Sequence, residues 1–169
     1  RMNPLTILEE DLQLLLWNIF KNLVTKSKTI AMVGVSSIRK DEKKSNIIRR
    51  RPSIIVMKYL QEFGYKIIPV NPFSTDKEIY GEPVMKSLEE INVPIDIVNV
   101  FRPSKETPVI AKQAISIGAK TLWLQYGIEN EDAKKLVQSK NINYIANKCI
   151  KQEYQKLFLK ANPVFPVLQ

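Results

Sequence analysis

Five short apolar runs alternate with amphipathic segments along the chain. Each run is too short for a helix and too continuously apolar for a strand with one wet face, so we predict strands buried on both faces of a sheet. Strands that alternate with helical segments in this way favour a parallel sheet covered by helices on both sides. The five runs are 29–35 (TIAMVGV), 65–72 (YKIIPVNP), 95–101 (IDIVNVF), 121–125 (TLWLQ) and 142–146 (INYIA).

Right-handed crossovers between such strands predict an α/β fold with a single Rossmann-like, doubly wound sheet of about five parallel strands and helices on both faces. We predict an N-terminal helix over 1–27 that packs on the domain, a Rossmann-like domain over 28–158 and a C-terminal tail over 159–169. The first helix opens on a capping-box pattern, and its apolar stripe comprises Leu12, Leu15, Leu16, Ile19 and Leu23.

Local signals at four further positions bear on where elements begin and end. Ser53 is the predicted N-cap of a helix over 54–63, and Gly64 is its left-handed stop. Ser104 is the predicted cap of the helix after the third run. Pro69 lies inside the second run and cannot donate to a ladder, which is unfavourable in a central strand.

Positive charge is concentrated in the loop between the first strand and the first crossover helix. The chain has 26 basic and 17 acidic residues, a net charge of +9. The stretch 39–51 alone has seven basic and two acidic residues, a balance of +5. Such a loop suits an anionic partner, whether a nucleic acid, a membrane surface or a phosphorylated small molecule.

The chain has no histidine and one cysteine, Cys149. This composition excludes a histidine-ligated metal, a thiolate zinc site within the chain, and Ser–His or Cys–His nucleophile pairs. We therefore predict a non-catalytic protein with no metal site. No apolar run approaches the ~20 residues of a membrane span, and no secretory signal is evident. We predict a cytoplasmic location and leave organellar targeting open.

Candidate binding residues follow the predicted strands, because ligands of doubly wound sheets lie beyond the carboxyl ends of the strands. Gly34 allows a sharp turn after the first strand, with Ser36 beside it. Ser53 starts a helix whose free amides attract phosphate. Arg102 can grip a phosphate with two nitrogens. Phe101 can pack on adenine or, as aromatic residues in strands usually do, serve in the core or pocket wall. These features suit a nucleotide with several phosphates.

The dinucleotide fingerprint is poorly matched. It requires G-x-G-x-x-G and an acidic residue at the end of the second strand. Here Gly34 is followed by Val35 and Ser36, and the second strand ends in Asn71 and Pro72. NAD is therefore disfavoured as the ligand.

Six motifs in order resemble one family. The chain is similar to the small stand-alone CoA-binding proteins, whose Rossmann-like domain also forms the nucleotide-binding part of the alpha subunit of succinyl-CoA synthetases. The resemblance implies coenzyme A or an acyl-CoA as the ligand, and an acyl-CoA-metabolising enzyme as a candidate partner. The motifs are VGVS (33–36), RPS (51–53), YLQEFGYKIIPVNP (59–72), DIVNVFRPS (96–104), GAKTLWLQYGI (118–128) and CIKQEYQKL (149–157).

The resemblance also implies roles for individual residues. The turn on the phosphate side would comprise Gly34, Val35 and Ser36, and Arg51 and Ser53 would meet the phosphates from the helix start. The remaining contacts would come from the ends of the next three strands. They are Val70, Asn71 and Pro72 around the adenosine, Phe101 and Arg102 closing the site, and Trp123 and Gln125 at the following strand end.

The sequence departs from the family pattern at three places. The loop between Ser37 and Arg51 is longer and more basic than the usual short turn. Asn99 stands where an aspartate is common, and Tyr154 stands where a histidine is common. The last two changes argue against a reaction that needs an ionisable group at those positions.

Two other functions compete with CoA binding. A nucleic-acid-associated protein could use the basic loop 39–51 against a phosphate backbone, although the loop lacks the interleaved aromatic residues of stacking platforms. An NAD(P)-dependent oxidoreductase could read a 2′-phosphate with the loop arginines, but its glycines are missing.

Replacing Arg49, Arg50 and Arg51 together with serine tests the basic loop. We expect CoA binding to weaken about tenfold or more, because charge-assisted contacts to phosphate would be lost. Calorimetric titration of the variant with CoA measures the change, and an unchanged affinity would refute the phosphate role.

Overall fold

The computed structural model describes residues 28–37 and 51–161, with side chains as far as Leu157, and five separate positions before Lys28. Seven strands are present in this part of the chain. They are β1 (Thr29–Val33), β2 (Lys66–Val70), β3 (Glu78–Ile79), β4 (Glu82–Pro83), β5 (Ile97–Val100), β6 (Thr121–Leu124) and β7 (Asn143–Ile145). The α-helices are α1 (Pro52–Glu62), α2 (Thr107–Ser116), α3 (Glu131–Gln138) and α4 (Ile150–Ala161).

Five strands form a parallel sheet in the order β2-β1-β5-β6-β7, which confirms the predicted doubly wound α/β fold. The chain moves from β1 outward to β2 and then crosses back to β5 on the other side of β1. The strand order therefore reverses between β1 and β5, and the carboxyl ends of these two strands form the switch point. The short strands β3 and β4 pair as an antiparallel hairpin inside that crossover.

Two apolar layers cover the sheet, one on each face. Helices α1 and α4 pack against one set of strand residues, which includes Ile30, Met32 and Trp123. Helices α2 and α3 pack against the alternate set, which includes Ala31 and Val33. Successive strand residues point to opposite faces, so continuous apolar runs are what a sheet buried on both sides requires.

Pro69 is accommodated because β2 lies at the edge of the sheet. The Pro69 carbonyl accepts the Met85 N–H at 2.9 Å, on the side of β2 away from β1. The nitrogen of Pro69, which carries no hydrogen, faces the same outer side as the Pro69 carbonyl. The proline therefore removes no hydrogen bond to β1. The strand order, which sequence does not reveal, removes the difficulty raised by this proline.

Two predicted helix caps were wrong. Helix α1 begins at Pro52 with Arg51 as its N-cap, so Ser53 lies in the first turn. Ser104 begins a 3-10 turn over Ser104–Glu106, and Glu106 is the N-cap of α2. The Thr107 hydroxyl donates to the Ser104 carbonyl at 2.7 Å, which joins the turn to the helix.

Several predictions fall outside the described residues. They are most of the N-terminal helix over 1–27, the loop stretch 38–50 and the tail over 162–169. Of the predicted apolar stripe, Leu15 is described and is exposed. Helix α4 continues to Ala161, past the predicted domain end at 158. Within the described part of the chain, no helix is both long and apolar enough to cross a membrane.

Asp96 ties three strands together at the amino edge of the sheet. Its Oδ2 accepts the main-chain N–H groups of Lys28 at 2.9 Å and Thr29 at 3.0 Å. Its Oδ1 lies 3.1 Å from the Lys120 ammonium. Partial burial raises the pKa of Asp96, but the hydrogen bonds from Lys28, Thr29 and Lys120 outweigh it and lower the net pKa. The ionised carboxylate therefore stabilises the starts of β1, β5 and β6.

Asp96→Asn should lower the free energy of unfolding at pH 7 by about 1–2 kcal/mol, because charge-assisted hydrogen bonds become neutral ones. A lowered pKa means that the carboxylate stabilises the fold above its ordinary value of 3.8. This contribution is lost as the pH falls through the lower pKa of the folded state. Urea unfolding from pH 7 to pH 3 should show the difference between variant and wild type shrinking in acid. Glu78→Gln, at an exposed carboxylate, is the control, and a difference independent of pH would contradict this role.

Candidate binding site at the carboxyl edge of the sheet

Gly34 lies at the switch point, directly after β1. Its φ is +91°, and its N–H donates to the Val70 carbonyl at 2.8 Å. A Cβ atom here would lie 2.8 Å from both the Arg102 Cδ and the Phe101 carbonyl oxygen. The absent side chain therefore makes room for the chain that follows β5. The sequence suggested a close approach to a ligand, whereas the close approach in the structure is that of Arg102 and Phe101.

Hydrogen bonds hold the start of α1 against the turn after β1. The Ser36 N–H donates to the Ser53 Oγ at 3.1 Å, and the two hydroxyls lie 3.4 Å apart. The Arg51 Nη1 donates to the Ser37 carbonyl. The amides of Ser53 and Ile54 belong to the first helical turn and have no acceptor within the helix. The positive end of the helix dipole also faces this edge, which suits an anion.

Asn71 joins the loop after β2 to the same turn. Its Nδ2 donates to the Val35 carbonyl at 2.9 Å, and its Oδ1 accepts the Phe73 N–H at 2.9 Å. A second link pairs the hydroxyls of Ser37 and Ser74 at 3.1 Å. Sequence reasoning missed Ser74, which is buried and had no motif to mark it.

Arg102 is held by Glu106, a residue that sequence reasoning also missed. Its Nε lies 2.7 Å from Glu106 Oε2, and its Nη2 lies 2.8 Å from Oε1. Among the described residues, Nη1 makes no hydrogen bond. Hydrogen bonding to Glu106 raises the pKa of Arg102, and hydrogen bonding to Arg102 lowers the pKa of Glu106. Both side chains are about one-third exposed, at 33% and 38%, so a dissolved anion can reach the pair.

The two remaining candidates lie deeper than the others. Trp123 is fully buried, and its Nε1 donates to the Lys148 carbonyl at 2.7 Å. Gln125 is 5% exposed, and its Oε1 accepts from the Asn99 Nδ2 at 3.2 Å and the Ile150 N–H at 3.1 Å. The Ile150 N–H is a donor only, so it fixes the orientation of the Gln125 amide. Gln125 can therefore offer a ligand only its Nε2.

Asn99 and Tyr154, two of the departures from the family pattern, add no charged group at this edge. Asn99 is fully buried, and its Oδ1 has no hydrogen-bond partner among the described residues. Tyr154 is buried under α1, with its ring centroid 5.1 Å from that of Phe63 and 5.7 Å from that of Tyr65. Burial raises the pKa of Tyr154, so its phenol stays neutral at physiological pH.

Two aromatic side chains stand out from this edge of the sheet. Phe73 follows β2 and is 79% exposed, and Tyr126 follows β6 and is 76% exposed. Phe101, for which the sequence left open packing on adenine or a place in the core, is half-buried against the α1–α4 layer. An exposed ring beside Asn71 and Pro72 is therefore a better stacking surface than Phe101.

The structure brings most of the predicted residues together. Hydrogen bonds or direct packing link Gly34, Val35, Ser36, Arg51, Ser53, Val70, Asn71, Phe101 and Arg102 around the switch point. Pro72 is exposed beside them, whereas Trp123 and Gln125 support the loop that leads into α4. The arrangement is that of a doubly wound α/β protein with an anion-attracting helix start at its switch point. The assignment of each residue to a ligand group stays a prediction.

Comparison with known proteins identifies the family. A family model described as the CoA binding domain matches residues 28–155, so the chain belongs to that family. The uncharacterized protein YneT of Bacillus subtilis (strain 168) is 41% identical over 131 residues, covering 78% of this chain and 88% of YneT.

Solved structures of two small proteins have the same fold. A hypothetical protein from Pyrococcus horikoshii OT3 is 34% identical with a TM-score of 0.74, covering 84% of this chain and 92% of its own. A protein from Thermus thermophilus is 30% identical with a TM-score of 0.73, covering 84% of this chain and 98% of its own. The family resemblance drawn from the six motifs is confirmed.

Gly34→Ala and Gly64→Ala form a matched pair that tests the packing at the switch point. Both glycines have a left-handed φ, +91° and +89°, but a Cβ on Gly64 would meet no atom within 4 Å. We expect Gly64→Ala to cost about 1–2 kcal/mol of stability for the unfavourable φ alone. Gly34→Ala should cost roughly 1–3 kcal/mol more, because the Phe101 carbonyl belongs to the main chain and must shift.

Urea unfolding of the two variants measures the difference between them. Equal losses of stability would show that the chain after β5 adjusts freely, and the close approach at Gly34 would then not constrain the site.

Proposed function

We propose that the protein binds coenzyme A or an acyl-CoA at the carboxyl edge of the sheet and catalyses no reaction on it. The observation that carries this proposal is the convergence of three anion-binding features on the switch point. These are the first turn of α1, the Ser36–Ser53 pair and Arg102, whose methylene stem packs over Gly34. Membership of the CoA binding domain family supports the same class of ligand.

The charge of the ligand is opposite in sign to that of this edge. CoA carries a pyrophosphate and a 3′-phosphate, about four negative charges near neutral pH. Arg51 and Arg102 provide two guanidinium groups, and the α1 dipole adds a partial positive charge. The net charge of +9 on the chain strengthens the attraction at a distance.

The adenine ring has a candidate platform in Phe73. The family resemblance implies that Val70, Asn71 and Pro72 border the adenosine, and Phe73 is the next residue along the chain. Stacking of a base on an aromatic ring contributes about 1–3 kcal/mol. We propose Phe73, rather than the half-buried Phe101, as the stacking residue.

The absence of catalysis is supported by the ionisable groups around the switch point. The chain has no histidine to act as a general base near pH 7. Glu106 contacts the proposed binding residue Arg102, and its lowered pKa makes it a weak base. A binding protein that delivers CoA or senses its acylation is consistent with such a site.

Calorimetric titration with CoA, dephospho-CoA and NADP⁺ at two salt concentrations tests the proposal. We expect saturable CoA binding that weakens without the 3′-phosphate, and little binding of NADP⁺. Absence of heat with CoA at both salt concentrations would refute the proposal. In that case, binding of duplex DNA with a log–log salt slope of about −0.9 per neutralised phosphate would favour the nucleic-acid alternative.

Arg102→Gln should weaken CoA binding by about tenfold, because one charge-assisted contact to phosphate is worth about 1.5–3 kcal/mol before exposure reduces it. Lys105→Gln is the matched control, since it removes the same charge from an exposed residue three positions along the chain. The same calorimetric titration compares the two variants. Equal effects would show that Arg102 acts only through the overall charge.

A further inference from the structure

The Arg102 side chain occupies the approach to the turn at Gly34. Its Cδ and Cγ lie 2.8 and 3.1 Å from the position of a Cβ on Gly34, so its methylene stem crosses that glycine. The guanidinium then reaches Glu106, which takes both Nε and Nη2. One of the two guanidinium edges that can hold a bidentate anion is therefore already used within the protein.

Glu106 is fixed in place by the turn that carries it. Its N–H donates to the Pro103 carbonyl at 2.9 Å, closing the 3-10 turn over Ser104–Glu106. Hydrogen bonds from the loop before α3 hold Ser104, the first residue of that turn. The Ser104 hydroxyl accepts the Glu129 N–H at 3.3 Å. The Ser104 carbonyl also accepts from the Asn130 Nδ2 at 3.1 Å. The carboxylate is thus presented to Arg102 from an ordered support.

A carboxylate and a phosphate engage a guanidinium in the same planar, two-bond manner. Two such anions cannot share the Nε/Nη2 edge, so a ligand phosphate must displace Glu106 or bind at the Nη1/Nη2 edge, where the Glu106 charge already offsets that of the guanidinium. We infer that Glu106 is an internal competitor for Arg102 that lowers and tunes the affinity for phosphate-bearing ligands. This inference rests on the proposed function, because it takes the CoA phosphates as the anions that compete.

Electrostatic repulsion acts in the same direction as competition. An ionised Glu106 repels a ligand with several negative charges, and the repulsion is strongest for the phosphate closest to Arg102. Glutamine at this position keeps the shape of the side chain but removes its charge. It would therefore release Arg102 and relieve the repulsion together.

Glu106→Gln should tighten CoA binding by about three- to tenfold, an effect in the range of partly exposed ion pairs. Glu129→Gln is the matched control, because it removes an exposed carboxylate from the same edge of the sheet without contact to Arg102. We expect less than a twofold change for it. Titration calorimetry with CoA measures both, with circular dichroism to establish that each variant is folded.

The double variant Arg102→Gln with Glu106→Gln isolates the competition. If Glu106 acts mainly through Arg102, its replacement in the Arg102→Gln background should tighten CoA binding less than in the wild-type background, because only the direct repulsion is then relieved. The same gain in both backgrounds would reduce Glu106 to a general surface charge and overturn the inference. Weaker or unchanged CoA binding by Glu106→Gln alone would also overturn it.

Inorganic pyrophosphate separates this inference from the proposed function. The Nε–H resonance of Arg102, assigned by its loss in Arg102→Gln, reports directly on the guanidinium during a titration. A shift at lower pyrophosphate concentration in Glu106→Gln than in wild type supports the competition even if CoA gives no heat. Equal concentrations in the two proteins would overturn it even if CoA binds as proposed.

Discussion

The close approach of the chain segments after β1 and β5 is the constraint on which the candidate site depends. These strands are neighbours only because the strand order reverses between them, and their loops meet where a side chain on Gly34 would collide with the Phe101 carbonyl. A residue with a Cβ would force the two segments apart. Arg102 could then no longer pack over the turn at Gly34.

The hydrogen bonds around this contact hold the turn in one arrangement. Ser36 is hydrogen-bonded to Ser53, Ser37 to Arg51 and Val35 to Asn71. The turn after β1, the start of α1 and the loop after β2 therefore hold one another in place. Groups that are already ordered lose little conformational entropy when a ligand binds. The same network explains why Ser53 is not the helix cap: its hydroxyl accepts from the turn instead of from its own helix.

The sequence predicted the fold well because burial on both faces leaves a direct record in uninterrupted apolar runs such as TIAMVGV. For the site, it predicted only the features that residues close together in the sequence create. Pro69 was difficult because edge position depends on strand order, and the Ser53 cap was wrong although Pro52, a frequent first helical residue, marks Arg51 as the cap. The partners of Gln125 depend on loop geometry that no local pattern encodes, whereas Glu106 lies four residues after Arg102, a spacing that could have marked this ion pair.

Asp96 and Glu106 lie beyond opposite ends of β5 and have opposite energetic characters. Asp96 accepts the main-chain N–H groups of Lys28 and Thr29. A charge-assisted hydrogen bond of this kind contributes about 1.5–3 kcal/mol to stability. Glu106 holds a side chain that is one-third exposed, and such pairs contribute only about 0–1 kcal/mol. An ion pair that weak can be exchanged for a phosphate without endangering the fold. The amino edge of the sheet therefore carries stability, whereas the Arg102–Glu106 pair at the carboxyl edge can open without unfolding the protein.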